Sequence, residues 1–377
     1  MIKLIYLDYS ATTPVNKEVL ETFNKVTLNY IGNANSLHKL GLESKKIMNK
    51  SSEIVKEVLK LDNQEVIFTS SATESNNMAI KGIINSYQNR GKHIITTKLE
   101  HSSILETMEY LEKNGYEISY VKINEDGTVD LDDLQKLTRK DTILVSICHV
   151  NSEVGILQDI NKINKVIKDK NNLTFFHVDG TQAIGKINID IKYIDLYTFS
   201  AHKFYGLKGI ASLIKKKNIN ITPLIHGGKS QTEFRSGTPT IALMASLSKA
   251  LKLAYTDFDK KYNYILKLNE KLKNNLKDNQ NIIINSKETS IPHIINISIP
   301  NIKPETLLHY LEQQDIYIST KTACSKDNSD SLTLTTLNKD KSITSSSIRV
   351  SISHLTTEEE IEIFTKTLNQ AINDLKF

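Results

Sequence analysis

The chain has 377 residues, 39% of them hydrophobic, with 48 Lys and Arg against 43 Asp and Glu and a formal charge of +5. That is enough apolar material for a large core and two domains, which excludes global disorder. The charges are interspersed, and pairs such as Lys216-Lys217 and Lys260-Lys261 are solvated surface rather than a nucleic-acid stripe, so no direct nucleic-acid binding is expected.

The opening run Met1 to Asp8 holds only a short apolar stretch, which is no signal peptide, and nowhere does the chain approach the ~18 apolar residues of a membrane span. Cys148 and Cys324 make neither a disulfide framework nor a metal-spaced pair, so a reducing, cytoplasmic setting is the expectation. Thr13 and Pro14 stand where a helix cap and first helical residue belong. Val15, Val19, Leu20, Phe23 and Val26 follow at helical spacing. β-rich runs then begin at Glu65, His93, Thr142, Thr174 and Ile194, alternating with amphipathic stretches such as 104–113 and 160–168. Alternation of this kind predicts an α/β domain with a mostly parallel sheet.

From Thr240 to about Asp278 there is no Gly or Pro and the period is helical, long enough to link two domains. Beyond it, runs starting at Ile294, Ile316 and Ser347 alternate like half-buried strands. Thr357 with three glutamates behind it then starts a final helix. This block reads as a smaller α+β domain. The polar stretch 319–347, which holds Cys324, resembles no regular element; loops of that length usually work as lids or binding loops.

Two strand-like runs end on chemistry-bearing residues. One closes on Asp179; the other closes on Ser200-Ala-His-Lys203. A lysine amine and a carboxylate so placed suit pyridoxal phosphate (PLP): the amine holds the cofactor as a Schiff base, and the acid keeps its pyridine nitrogen protonated. Alone, each has a plainer reading, a solvated lysine and a turn-initiating aspartate. The run Thr69-Ser-Ser-Ala-Thr follows a strand and precedes a helix, where backbone N–H groups greet a phosphate, although a plain cap is the better reading of that run alone. Ser200 and His202 would add phosphate donors. His101 would stack on a ring or, as a lone histidine more often does, serve as a structural hydrogen-bonder, and Gln182 would reach the cofactor's phenolic oxygen or lie as a plain surface glutamine. His149 and His177 lack ligand spacing and read as core histidines, so no metal is expected. Cys148 sits in an apolar run and reads as inert core.

In order along nearly the whole chain stand Y-L-D-Y-S-A-T-T-P at 6–14, G-N-A-N-S-L-H at 32–38, I-F-T-S-S-A-T-E-S-N-N at 67–77 and E-H at 100–101. H-V-N-S-E-V-G at 149–155, H-V-D-G-T-Q at 177–182, S-A-H-K at 200–203, H-G-G at 226–228, R-S-G-T at 235–238, T-A-C-S at 322–325 and S-S-I-R-V-S at 346–351 complete the series. With these the chain resembles the cysteine desulfurases of the class-V aminotransferase group, with the PLP-dependent transferase fold type I. The resemblance implies a large PLP-binding domain at 14–253 around a mostly parallel, seven-stranded type of sheet. A small α+β domain would be built from 1–13 and 254–377 and would carry the catalytic-cysteine loop at 319–347.

The resemblance also implies a site. Lys203 would hold PLP and, with His101, move protons. Asp179 would hold the ring nitrogen. Ala72, Thr73, Ser200 and His202 would bind the phosphate, and Gln182 and Ser152 the rest of the cofactor. Asn33, Asn151 and Arg349 would bind the substrate, with Arg349 on its carboxylate. Thr238 would reach the partner subunit's phosphate in a homodimer. Cys324 would take sulfur from L-cysteine as a persulfide and pass it to an acceptor protein, for iron–sulfur clusters or tRNA thiolation. A mobile loop suits a thiol that must enter the site and then leave it.

Some stretches depart from the family. Ser152 replaces its usual second asparagine, and Ser71 a glycine. Residues 229–234 lack its usual pattern. The cysteine loop reads S-T-K-T-A-C-S, with no Glu-Pro-Ser after it. The competing readings are a related lyase acting on selenocysteine, and a degenerate homologue serving as a sulfur-relay scaffold. A nucleotide-binding protein is the least favoured reading, since no G-x-G-x-x-G or G-x-x-x-x-G-K motif is present.

Overall fold

The structure is a computed structural model that describes residues 4–320 and 330–375. Its strands, in chain order, are β1 (Ile5–Tyr6), β2 (Gln64–Thr69), β3 (His93–Thr96), β4 (Glu117–Tyr120), β5 (Thr142–Cys148), β6 (Phe175–Asp179), β7 (Leu196–Ser200), β8 (Ala211–Lys216), β9 (Ile283–Ile284), β10 (Ile294–Ser298), β11 (Ile316–Tyr317) and β12 (Ser347–Ser351). Seven of them form one sheet in the order β2-β8-β7-β6-β5-β3-β4. β8 runs antiparallel to both neighbours, and the other four pairings are parallel.

β5, β6 and β7 are buried at every position. The reason lies in the two cores. Val145, Ile147, Phe176 and Phe199 face one, while Leu144, Phe175, Leu196 and Leu213 face the other. A sheet covered on both faces needs continuous apolar runs instead of alternation.

A second sheet, β12-β10-β9, is antiparallel. The helices Phe258–Leu276 and Glu358–Leu375 close its core through Ile265, Leu272, Ile361 and Phe364. Thr357 and Glu360 cap the last helix reciprocally, each backbone N–H donating to the other's side chain at 2.9 and 3.2 Å. β1 joins this part by pairing in parallel with β11. No helix among the described residues is long and apolar enough to cross a membrane.

Three expectations need correction. The first helix starts at Lys17, capped by Asn16, whose Oδ1 accepts from Glu18 N at 2.8 Å. Thr13 is spent elsewhere: its hydroxyl donates to the His202 carbonyl and accepts from Tyr205 N. The expected helix over 240–278 is two, Ile241–Tyr255 and Phe258–Leu276, broken where Asp257 adopts a left-handed φ of 52°. Within 319–347, two short helices, Leu332–Thr336 and Lys341–Thr344, stand where no regular element was expected.

Candidate active site

The carboxyl ends of the parallel strands converge on one cavity of about 390 Å³, the position that open α/β sheets use for ligands. Asp179 closes β6 and is 7% exposed. Its Oδ1 accepts from Thr181 N at 2.9 Å and its Oδ2 from Asn76 Nδ2 at 2.9 Å. The other Asn76 N–H donates to Ser103 Oγ at 3.0 Å, and Ser103 Oγ lies 2.9 Å from His101 Nδ1.

His101 caps the helix Ser102–Lys113 by accepting from Ser103 N at 3.1 Å. An Nδ1 that accepts leaves the ring proton on Nε2. Burial holds the His101 pKa below the usual histidine range, helped by the Lys203 charge and opposed by Asp179. A neutral, Nε2-protonated ring is thus set beside the carboxylate.

Lys203 follows β7, and its Nζ donates to the Ser10 and Ala11 carbonyls at 2.7 Å each. Gln182 Nε2 donates to the same Ser10 carbonyl at 2.9 Å, while its Oε1 accepts from the buried Lys186. On the far side of the cavity the helix Ala72–Ser86 presents its amino end, where backbone N–H groups lack helical partners. Thr73, Ser200 and His202 line the same corner. Burial, with Lys203 and Lys208 nearby, holds His202 down to about 4.

Arg349, on β12, reaches the cavity from the opposite side and is 2% exposed. Its guanidinium donates to Asp8 Oδ1 at 2.8 Å and to the Ser152 carbonyl at 2.9 Å. The Ser152 carbonyl thus holds the guanidinium, a contact that any residue there supplies. Of the altered stretch, Gln231 Oε1 accepts from Phe68 N at 2.7 Å and anchors it to β2.

Not every expected residue lines this cavity. Asn33 is exposed in a turn away from it, and Thr238 is exposed as well. Asn151 is buried with its amide committed to Leu99 O, Thr333 Oγ1 and the backbone N–H groups of Glu153 and Val154. Cys324 lies outside the described residues. His149 bonds to the Tyr197 hydroxyl, and His177 to Ser146 and Thr198. Cys148 lines the cavity wall, but burial, with Glu100 and Asp179 beside it, pushes its thiol well up and keeps it protonated.

Asn76 and Asp8 were missed from the sequence. Asn76 carries a legible signal: with Ile80 and Ile83 it shares one buried helix face, and a polar residue on an apolar face needs a partner. Asp8 carries none, since its partner is 341 residues away.

The aminotransferase class-V family profile matches residues 5–364. The chain belongs to this family. Among curated relatives, the cysteine desulfurase IscS of Buchnera aphidicola subsp. Baizongia pistaciae is 41% identical, covering 99% of this chain and 93% of its own. The cysteine desulfurase IscS of Dictyoglomus turgidum is 36% identical over 100% of this chain and 96% of its own. A solved NifS-like protein superposes with a TM-score of 0.93 at 35% identity, covering 99% and 100% of the two chains.

The class-V cofactor is pyridoxal 5'-phosphate, and the residues present fit it. Besides Asp179 and Lys203, the cavity holds Ser10 Oγ, Thr181 Oγ1 and Arg349 Nε, which are buried and have no partner among the described residues. Polar atoms are rarely left so unless a ligand completes them.

Proposed function

We propose that this protein is a PLP-dependent cysteine desulfurase that converts L-cysteine to L-alanine and leaves the sulfur as a persulfide on Cys324. The observation that carries this reading is Asp179, Lys203 and Arg349 lining one cavity. When bound, the cofactor supplies an electron sink at the substrate's α-carbon.

The chain's own residues do the rest. Lys203 would hold the cofactor, and its amine would carry the substrate's α-proton. Asp179, fixed by Asn76 and Thr181, keeps a proton on the ring nitrogen. His101, as a neutral imidazole, would help hold the cofactor ring. Ala72, Thr73, Ser200 and His202 would hold the phosphate, Gln182 the phenolic oxygen, and Arg349 the substrate carboxylate. The Cys324 thiolate attacks the substrate sulfur. An S–S bond forms, the C–S bond breaks with its electron pair kept by carbon, and that carbon takes a proton.

The finer assignments belong to the same reading. The large domain is 14–253; 1–13 and 254–377 form the small one, an arrangement supported by β1 pairing with β11. The exposed Thr238 suits contact with a second subunit in a homodimer. Sulfur passes from Cys324 to an acceptor protein for iron–sulfur assembly or tRNA thiolation, in the cytoplasm.

The test is alanine and sulfide release from L-cysteine under reducing conditions, for the wild type and Cys324→Ala. Equimolar release by the wild type alone is expected. Release by both proteins would exclude Cys324 as the carrier. Release by neither, with cofactor bound, would overturn the reading of an enzyme active by itself.

A further inference from the structure

The carboxylate clamp has an unequal distribution of partners. Arg349 NH2 is tied to Asp8 and NH1 to the Ser152 carbonyl, while Nε is buried with none among the described residues. A guanidinium carries five N–H donors in one rigid plane. Two anchors fix that plane, and of the three N–H groups left Nε–H is the buried one with no partner among the described residues.

We propose that Asp8 is the positioning residue of this clamp, aiming the unpartnered Nε edge of Arg349 at the α-carboxylate of L-cysteine. The inference rests on the reading of Arg349 as that clamp. Asp8 is itself held firmly. Leu7 N donates to Tyr317 O at 2.8 Å, Ser351 N donates to Leu7 O at 2.7 Å, and Tyr9 N donates to Ser351 O at 3.4 Å. The strap thus lies against β11 on one side and the end of β12 on the other, and Asp8 bridges Ser351, two residues beyond Arg349. The strap continues to Ser10 and Ala11, whose carbonyls take the Lys203 amine. Four consecutive residues therefore set the spacing between the group that would hold the substrate's carboxylate and the group bound to its cofactor.

Arg349 also pairs with Ser319, five residues before Cys324 in the sequence. Arg349 N donates to Ser319 O at 2.7 Å, and Ser319 N donates to Arg349 O at 3.2 Å. Without the Asp8 carboxylate, the buried guanidinium would lose its countercharge and could swing about its flexible stem. A clamp displaced by about 1 Å loses on the order of a hundredfold in effectiveness.

The test is equilibrium binding in the Cys324→Ala background, where L-cysteine is not turned over, read from the visible absorbance of the cofactor-loaded protein. Two ligands are compared: L-cysteine, and cysteamine, which has the same amine and thiol but no carboxylate. Asp8→Ala is expected to weaken L-cysteine by about tenfold to a hundredfold and to leave cysteamine within about twofold. Asp8→Asn, which keeps an oxygen acceptor, is expected to restore most of the loss. Adding Asp8→Ala to Arg349→Ala should change nothing further, because the two act as one unit. Should Asp8→Ala fail to fold, Asp8→Ser gives the same contrast between the ligands.

Equal losses for both ligands would mean a merely structural Asp8 and overturn the proposal. So would unchanged L-cysteine binding in Asp8→Ala, or tighter binding in Asp8→Asn, which would make the charge an opponent of the substrate. Full L-cysteine affinity in Arg349→Ala would instead refute the clamp itself, and the proposal with it.

Discussion

At the scale of single residues, Glu100 is a group whose ionisation is at odds with its place. It is fully enclosed, its Oε1 accepting from Thr97 Oγ1 at 2.6 Å and from Cys148 N at 2.9 Å, while Oε2 has no partner among the described residues. Burial pushes its pKa up to about 8; Asp179 adds to the rise and the two hydrogen bonds oppose it. At neutral pH it is therefore mostly protonated, which spares the ring-binding Asp179 a second negative charge at the end of the neighbouring strand. A folded pKa above the unfolded one gives stability that is complete below about 4.5 and is lost as pH rises through about 8, at up to about 1.4 kcal/mol per pH unit. Glu100→Gln, which mimics the protonated acid, should remove that slope. Urea midpoints of both proteins between pH 5 and 8 measure it: the variant should gain on the wild type steadily as pH rises. A constant difference would show that Glu100 does not titrate in this window.

At the scale of elements, the turn after β6 decides where Asp179 points, and Gly180 makes that turn. A Cβ there would stand 2.0–2.1 Å from the ring of Tyr197, whose hydroxyl bonds His149. Gly180→Ala should cost about 1–3 kcal/mol through overpacking and also weaken cofactor binding. Urea denaturation and a cofactor titration would check both, and unchanged values would show that Tyr197 yields freely. The sequence reveals β6 and β7 because two-sided burial writes itself as apolar runs that end on Asp179 and Ser200. It hides β8, whose run closes on lysines that look solvated. Yet Lys215 is sealed inside, paired with Glu65 and lying 4.4 Å over the Phe234 ring. It hides β4 too, since Glu117–Tyr120 is a short edge strand with half its residues exposed. The same divide runs through the site. Lys203, Asp179 and His101 stand at element ends and are legible locally. The ties from Asp8 to Arg349 and from Asn76 to Asp179 join distant segments, and no local pattern encodes them.

At the scale of the whole molecule, buried histidines set the acid limit of stability. His149, His177 and His293 lie 5%, 0% and 6% exposed. Burial lowers His149 to about 3 and His177 to about 4, and holds His293 well below its usual range, with Lys186 and His354 adding to the last. His202 and His354, less deeply placed, are also held down to about 4. All five shift in one direction, so the sign is common. A depressed folded pKa gives stability that is present above about 6.5 and is lost as pH falls, because the unfolded chain binds protons that the folded one refuses. Glu100 works the other way, releasing one proton on unfolding above about pH 4.5. At pH 5.5 the three deepest histidines would each take up nearly one proton, His202 and His354 up to one each, as would His93 and His101, which burial also holds down, and Glu100 would give one back. Unfolding should therefore absorb about two to six protons. Calorimetry in buffers of different ionisation enthalpy counts them directly, and the midpoint temperature should fall steeply from pH 6.5 to 4.5. An uptake near zero would mean that these rings find water or acid partners in the folded protein and are charged there.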